Sequence, residues 1–165
     1  MYTGVTMSSY KWASLHCHSE HSLLDGFGKI EDIAKTCKEY GFAAAALTDH
    51  GVITGAIDFN KSCKEAGIKP IIGCEFYFCQ KSATIKDETN RELTHVVILS
   101  KNLTGYKELC YCVSESYKEE HSYYKQRIDY DMMKKYLGNN NHICIIGHPG
   151  TLLSNCLFVH KDAYR

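Results

Sequence analysis

Two related hexapeptides constrain the architecture more than anything else in the chain. Cys37-Lys-Glu-Tyr-Gly-Phe42 recurs as Cys63-Lys-Glu-Ala-Gly-Ile68. In both, a helical stripe meets a glycine and passes straight into an apolar run. Glycine just past a helix accepts the left-handed conformation that ends it, and a short continuous apolar run suits a strand buried on both faces. Successive units of this kind specify an α/β chain with a parallel sheet or barrel.

The remaining elements follow from periodicity. Trp12 to His18 has strand character. Lys29 to Tyr40 carries Ile30, Ile33, Ala34 and Cys37 at helical spacing, and Phe42 to Thr48 reads as a buried strand. Ala56, Phe59, Cys63 and Ala66 line a second helix, followed by a strand from Ile71 to Phe78. Lys81 to Glu92 is polar and aperiodic, a loop. His95 to Ser100 is a strand, Asn102 to Glu119 a helix, and Asp129 caps a short helix ending at Gly138. His142 to Gly147 reads as a fifth strand, and the tail from Pro149 gives no signal. The 165 residues, 44% apolar and 23% charged, suit one domain with a real core.

Composition excludes several functions. Lys plus Arg and Asp plus Glu are 19 each, so there is no broad basic footprint for tight nucleic-acid binding. No apolar run reaches membrane-span length, and Met1 to Lys11 lacks the apolar core of a signal peptide. The nine cysteines include no Cys-x-x-Cys, which argues against a zinc ribbon and for reduced thiols in a cytoplasmic chain, most of them small core residues. Neither a Gly-x-Ser-x-Gly elbow nor a Walker loop is present.

The nine histidines are more informative. In β/α architectures, chemistry collects at the C-terminal ends of strands. His16 and His18 flank Cys17 at the end of the first strand, where residues two apart share a face. Thr48-Asp49-His50 ends the second strand, Glu75 lies in the third, and the fifth runs into His148. Imidazole and carboxylate converging on one rim suit zinc, manganese or iron, and a cluster of two or three such ions equips a site for phosphoester hydrolysis. Asp25, in Asp25-Gly26, reads on its own as a turn residue. His21, His121, His142 and His160 read as solvent or turn histidines. Tyr123, Tyr124, Lys125 and Arg127 could stack on and pair with a nucleic-acid strand, or form an exposed connector.

Leu15-His-Cys-His-Ser-Glu-His-Ser-Leu-Leu-Asp-Gly26 resembles the first motif of the PHP (polymerase and histidinol phosphatase) family. Leu47-Thr-Asp-His-Gly51 and Ile68-Lys-Pro-Ile-Ile-Gly-Cys-Glu75 continue the resemblance in order. The stretches His95 to Leu109 and Tyr123 to Asp129 are similar to the branch formed by the N-terminal domain of the bacterial DNA polymerase III alpha subunit. The resemblance implies one domain over residues 1–165, folded as a distorted seven-stranded β/α barrel with up to three metals. It implies His16, His18, Asp25, His50, Glu75 and His95 as ligands, and so brings in Asp25 and His95. His148 stands where that branch commonly has a cysteine before proline.

Two departures bear on function. The family's final Asp-x-His is missing, leaving a barrel that stops short at its C-terminus; His160-Lys-Asp162 carries those residue types only in reverse order. His21 replaces a usual aromatic. The resemblance therefore implies a metal-dependent phosphoesterase, in polymerase relatives a 3′–5′ exonuclease on single-stranded DNA, without polymerase activity of its own. The alternatives are a non-catalytic docking module of a split polymerase, completed by a downstream polypeptide or by self-association, and a free-standing phosphatase of the histidinol-phosphate type. A bacterial or phage source fits each.

Overall fold

The computed structural model describes residues 12–147 and 149–160, with side chains as far as Phe158. Its elements in chain order are β1 (Ala13–Ser14), α1 (Ile30–Glu39), β2 (Ala44–Leu47), α2 (Ala56–Ala66), β3 (Lys69–Phe78), β4 (Thr94–Ser100), α3 (Leu103–Ser116), β5 (Ser122–Tyr123), β6 (Lys125–Ile128), α4 (Tyr130–Met132), β7 (His142–Ile145) and α5 (Leu152–Asn155). The strands form one curled sheet, a half-barrel, along the path β1-β2-β3-β4-β7, with β6 against the end of β3 and β5 against β6.

The two hexapeptides do what their chemistry requires. Phe42 N–H reaches the Cys37 carbonyl and Gly41 N–H that of Lys38, both at 2.9 Å; Ile68 and Gly67 repeat the pattern on Cys63 and Lys64 at 2.9 and 3.1 Å. Gly41 and Gly67 sit at φ 75° and 73°, where a Cβ would be strained. Each helix is thus stopped and aimed at its strand. The strands β1, β2 and β3 run parallel, as expected.

From β3 onward the all-parallel expectation fails. The strand β4 is antiparallel to β3 and β7 antiparallel to β4. The cause is the connection: the polar stretch after β3 holds only a short helical turn at Glu88–Asn90, and a parallel return needs a longer crossover. The β5–β6 hairpin is also additional to the expected elements, and β6 pairs in parallel with Tyr77 and Phe78. The first strand is shorter than expected, ending at Ser14 with His16 and His18 beyond it. Asp129 does cap α4, accepting Met132 N–H at 2.9 Å.

Three apolar clusters hold the sheet. Ile30, Ala34, Cys37, Leu47, Phe59 and Cys63 pack α1 and α2 on one part of the outer face. Phe76, Ile98, Leu109, Cys112 and Ile128 join α3 to another, and Ala46, Val97 and Leu99 line the concave side. Burial pushes the Cys63 thiol up to about 11 and Cys112 to about 12, in keeping with thiols that serve as core rather than as nucleophiles. Among the described residues, no helix is long and apolar enough to cross a membrane.

Candidate metal centre

The reversal of β4 assembles the site. Because β4 runs antiparallel to β3, its first residues lie at the rim reached by the C-terminal ends of β1 and β2. His95, the second residue of β4, places Nδ1 2.7 Å from Glu75 Oε1. Glu75 is held from its other side by the chain following β2: Glu75 N–H donates to Asp49 at 3.1 Å and Gly51 N–H to Glu75 at 2.8 Å.

His16 and His18 lie past β1, and side-chain bonds extend the strand pairing to them. Thr48 Oγ1 accepts Cys17 N–H at 2.9 Å and donates to the Cys17 carbonyl at 3.1 Å. The two imidazoles then converge on Glu75 Oε2, at 2.6 Å for His16 and 2.9 Å for His18. Their Nε2 atoms are 3.1 Å apart. The expectation that both face one side holds, although a bend after β1 produces it instead of strand alternation.

Asp49 organises the loop that carries His18. It is 1% exposed and accepts Ser19 N–H at 2.6 Å, the Ser19 hydroxyl at 2.8 Å and the Ser22 hydroxyl at 2.7 Å. Ser22 Oγ, its proton committed to Asp49, accepts His50 N–H at 3.1 Å and lies 3.3 Å from His18 Nδ1. His18 Nδ1 is therefore the donor to Ser22, which directs its Nε2 toward Glu75 and His16.

His50 completes the cluster. Its ring stacks on His18 with centroids 4.2 Å apart, and its Nε2 lies 3.1 Å from Asp25 Oδ2. With Nε2–H on Asp25, the buried Nδ1 has no hydrogen-bond partner and faces Glu75 Oε2 at 3.7 Å. Burial lowers the His50 pKa, and nearby His18 and His95 lower it further against the pull of Glu75 and Asp25. Burial would raise the Glu75 carboxyl, yet hydrogen bonds from His18, His95 and His16 hold it well below the usual carboxylate range. For His18, burial lowers the pKa but contact with Glu75 outweighs it, and the net direction is up.

A divalent cation fits this donor set. His50 Nδ1, which has no hydrogen-bond partner, and the Nε2 atoms of His16 and His18 all face one buried carboxylate, a donor set that a divalent cation would satisfy in place of the imidazole protons. Three overlapping groups could each hold an ion: His16, His18 and Glu75; His18, Asp25 and His50; His50, Glu75 and His95. The His18, His50 and Glu75 side chains are each shared by two of them, so the groups form one cluster.

Six of the seven metal ligands expected from sequence meet here. The seventh, His148, lies outside the described residues, as do Asp162 and the His160 side chain. The supporting bonds of Asp49 to Ser19 and Ser22 are not visible in the sequence, and the sequence reading does not include Tyr77, whose ring lies 5.6 Å from that of His50. Tyr77 is two residues from Glu75 on one strand, so period-two alternation was a usable signal. For Asp49→Ala we expect metal affinity to fall roughly 10- to 100-fold, the usual effect of losing outer-shell support, as measured by isothermal titration with Mn²⁺.

Two sequence expectations are corrected. Arg127 is 0% exposed and cannot pair with a nucleic-acid strand. Its guanidinium donates to the carbonyls of Ala83 at 2.6 Å, Asn90 at 2.9 Å, Ile85 at 3.1 Å and His121 at 3.3 Å, bolting β6 to the loop after β3. His142 is no solvent histidine: its side chain is 4% exposed, and Nε2–H donates to the Gly105 carbonyl at 2.9 Å, tying β7 to α3. His121 also bonds internally, through Nδ1–H to the Glu115 carbonyl at 2.9 Å.

Residues 14–165 match the family model of the PHP domain. The chain belongs to the PHP family. The PHP domain is 42% identical over 154 residues to the DNA polymerase III subunit alpha of Chlamydia pneumoniae, covering 92% of this chain and 12% of that protein. Against the same subunit of Borreliella burgdorferi the identity is 41% over 153 residues, covering 92% and 13%. This PHP domain thus spans about an eighth of the length of these relatives. Among solved structures, an amidohydrolase from Chromobacterium violaceum superposes with a TM-score of 0.49 at 22% identity, covering 62% of this chain and 32% of that one.

Proposed function

We propose that this PHP domain is a metal-dependent phosphoesterase acting on phosphodiester strands, as a 3′–5′ exonuclease on single-stranded DNA in the bacterial cytoplasm. One observation carries the reading: a buried carboxylate, Glu75, ringed by His16, His18, His50 and His95, with Asp25 at the mouth. Two or three divalent ions in such a cluster would supply a hydroxide nucleophile near neutral pH and neutralise charge on the phosphoryl oxygens. His16, His18, Glu75 and His95 would hold the inner ions. Asp25, by accepting the His50 Nε2 proton, keeps His50 Nδ1 as a ligand atom. The Asp49–Ser22 pair does the same for His18. No separate protein base is needed.

The test is release of nucleotides from a labelled single strand by protein loaded with Mn²⁺ or Zn²⁺. We expect activity that His16→Ala abolishes. No release above that control would overturn the catalytic reading, and turnover of small phosphomonoesters without DNA cleavage would favour a small-molecule phosphatase. A second reading, a docking part of a replication assembly, draws on the exposed Ile143 of β7 and Ile146 just beyond it, and on the exposed Phe158. Co-purification with a downstream alpha-subunit fragment, without hydrolysis, would support it.

A further inference from the structure

The β5–β6 hairpin brings a cation to the mouth of the metal centre. Lys125 Nζ lies 5.2 Å from the centroid of the Tyr77 ring. That ring stacks on His50 at 5.6 Å and 14° and meets His95 edge-on at 5.3 Å and 87°. One aromatic side chain therefore touches two metal-ligand candidates and an ammonium group. Lys125 is exposed, and no described carboxylate lies within ion-pair distance of it.

The position of this lysine is fixed from below. Arg127, two residues along β6, is locked by its carbonyl bonds, and Gln126 Nε2–H donates to the Tyr117 hydroxyl at 3.1 Å. The backbone of Tyr77 pairs with Arg127, so ring and ammonium are mounted on one strand pair. In a chain whose charges balance at 19 each, a free cation so placed contributes local attraction that the net charge does not.

We propose that Lys125, seated on Tyr77, anchors a second phosphate of the substrate, beside the phosphoryl group taken by the metal centre. The proposal rests on the phosphoesterase reading and deepens it by naming the substrate class. An ammonium takes phosphate as a point charge, and the π face of Tyr77 orients it without neutralising it. A substrate with one phosphorus atom satisfies the metal centre alone. A strand with at least two satisfies both, and the rigid Tyr77 spacer sets the distance between them. Lys125 is thus a specificity residue for oligonucleotides over small phosphoesters.

The test compares wild type, Lys125→Gln and Lys125→Arg in the full chain loaded with Mn²⁺. Binding of a short, hydrolysis-resistant phosphorothioate oligothymidylate is followed by fluorescence anisotropy across a salt series. For Lys125→Gln, the slope of log affinity against log salt becomes shallower by about 0.7, one single-strand phosphate contact, while Lys125→Arg keeps the wild-type slope. In turnover, Lys125→Gln raises KM for an oligonucleotide about tenfold, the weight of one charge-assisted hydrogen bond, with kcat unchanged. Cleavage of bis(p-nitrophenyl) phosphate, which has a single phosphorus, is unaffected. An unchanged salt slope, or equal losses on both substrates, overturns the proposal. A wild type that hydrolyses neither substrate overturns the phosphoesterase reading instead, and the salt slope still decides whether Lys125 holds a strand phosphate.

Discussion

Glu75→Gln should cost the PHP domain its metal. The amide is isosteric with the carboxylate, so the packing of a side chain that is 1% exposed is retained. What disappears is the negative charge on which the ligands converge, with Nε2 of His16 and His18 at 2.6 and 2.9 Å and Nδ1 of His95 at 2.7 Å. Two of the three overlapping ligand groups contain Glu75, so one substitution damages both. The drop in Mn²⁺ affinity should exceed the roughly 100-fold upper range seen when only outer-shell partners are removed. Asp25→Asn, which alters a half-exposed group belonging to one ligand group, should cost much less. Calorimetric titration of both variants checks the order; equal losses would mean that the cluster is not organised around Glu75.

The second large effect is on stability. Arg127→Met keeps a long side chain in the same channel but removes every donor. The carbonyls of Ala83, Asn90 and His121 then lose their partner, while that of Ile85 keeps Asn90 Nδ2–H at 3.2 Å. Each buried acceptor left unsatisfied costs about 1 kcal/mol or more, giving about 3 kcal/mol in total. For a chain of this size that corresponds to roughly 10 °C in Tm. The loop after β3 and the hairpin would separate first, since Arg127 donates three of the hydrogen bonds between them. Scanning calorimetry measures this directly. An unchanged Tm together with weakened strand binding would instead return Arg127 to a surface role.

The sequence was most legible where local chemistry and topology agree. The Gly41 and Gly67 helix stops and the apolar strands behind them required only turn chemistry and periodicity. His16, His18, His50 and Glu75 were accessible because strand-end logic applies to parallel strands. His95 was not, because it starts a strand, and only the antiparallel direction of β4 turns that start toward the shared rim. The family resemblance supplied it, and Asp25 likewise.

The hairpin escaped for a related reason. Lys125-Gln-Arg-Ile128 has no apolar alternation, and its turn is made by Tyr124 at φ 59°, where glycine or asparagine is the usual signal. Arg127 was misplaced because a charged residue in a polar stretch reads as exposed, whereas here unpaired loop carbonyls call for a buried donor. Asp49 was visible as a strand-end carboxylate, but its three bonds to Ser19 and Ser22 depend on a loop fold that residue spacing does not reveal.

The central claim is that His16, His18, Asp25, His50, Glu75 and His95 form one metal cluster. The most direct test is metal content per chain after loading with Mn²⁺ or Zn²⁺, with ion positions located by anomalous scattering in crystals. The account predicts two or more ions per chain, sharing His18, His50 and Glu75 as common ligands. A chain that retains no metal, or an ion bound away from Glu75, would contradict it.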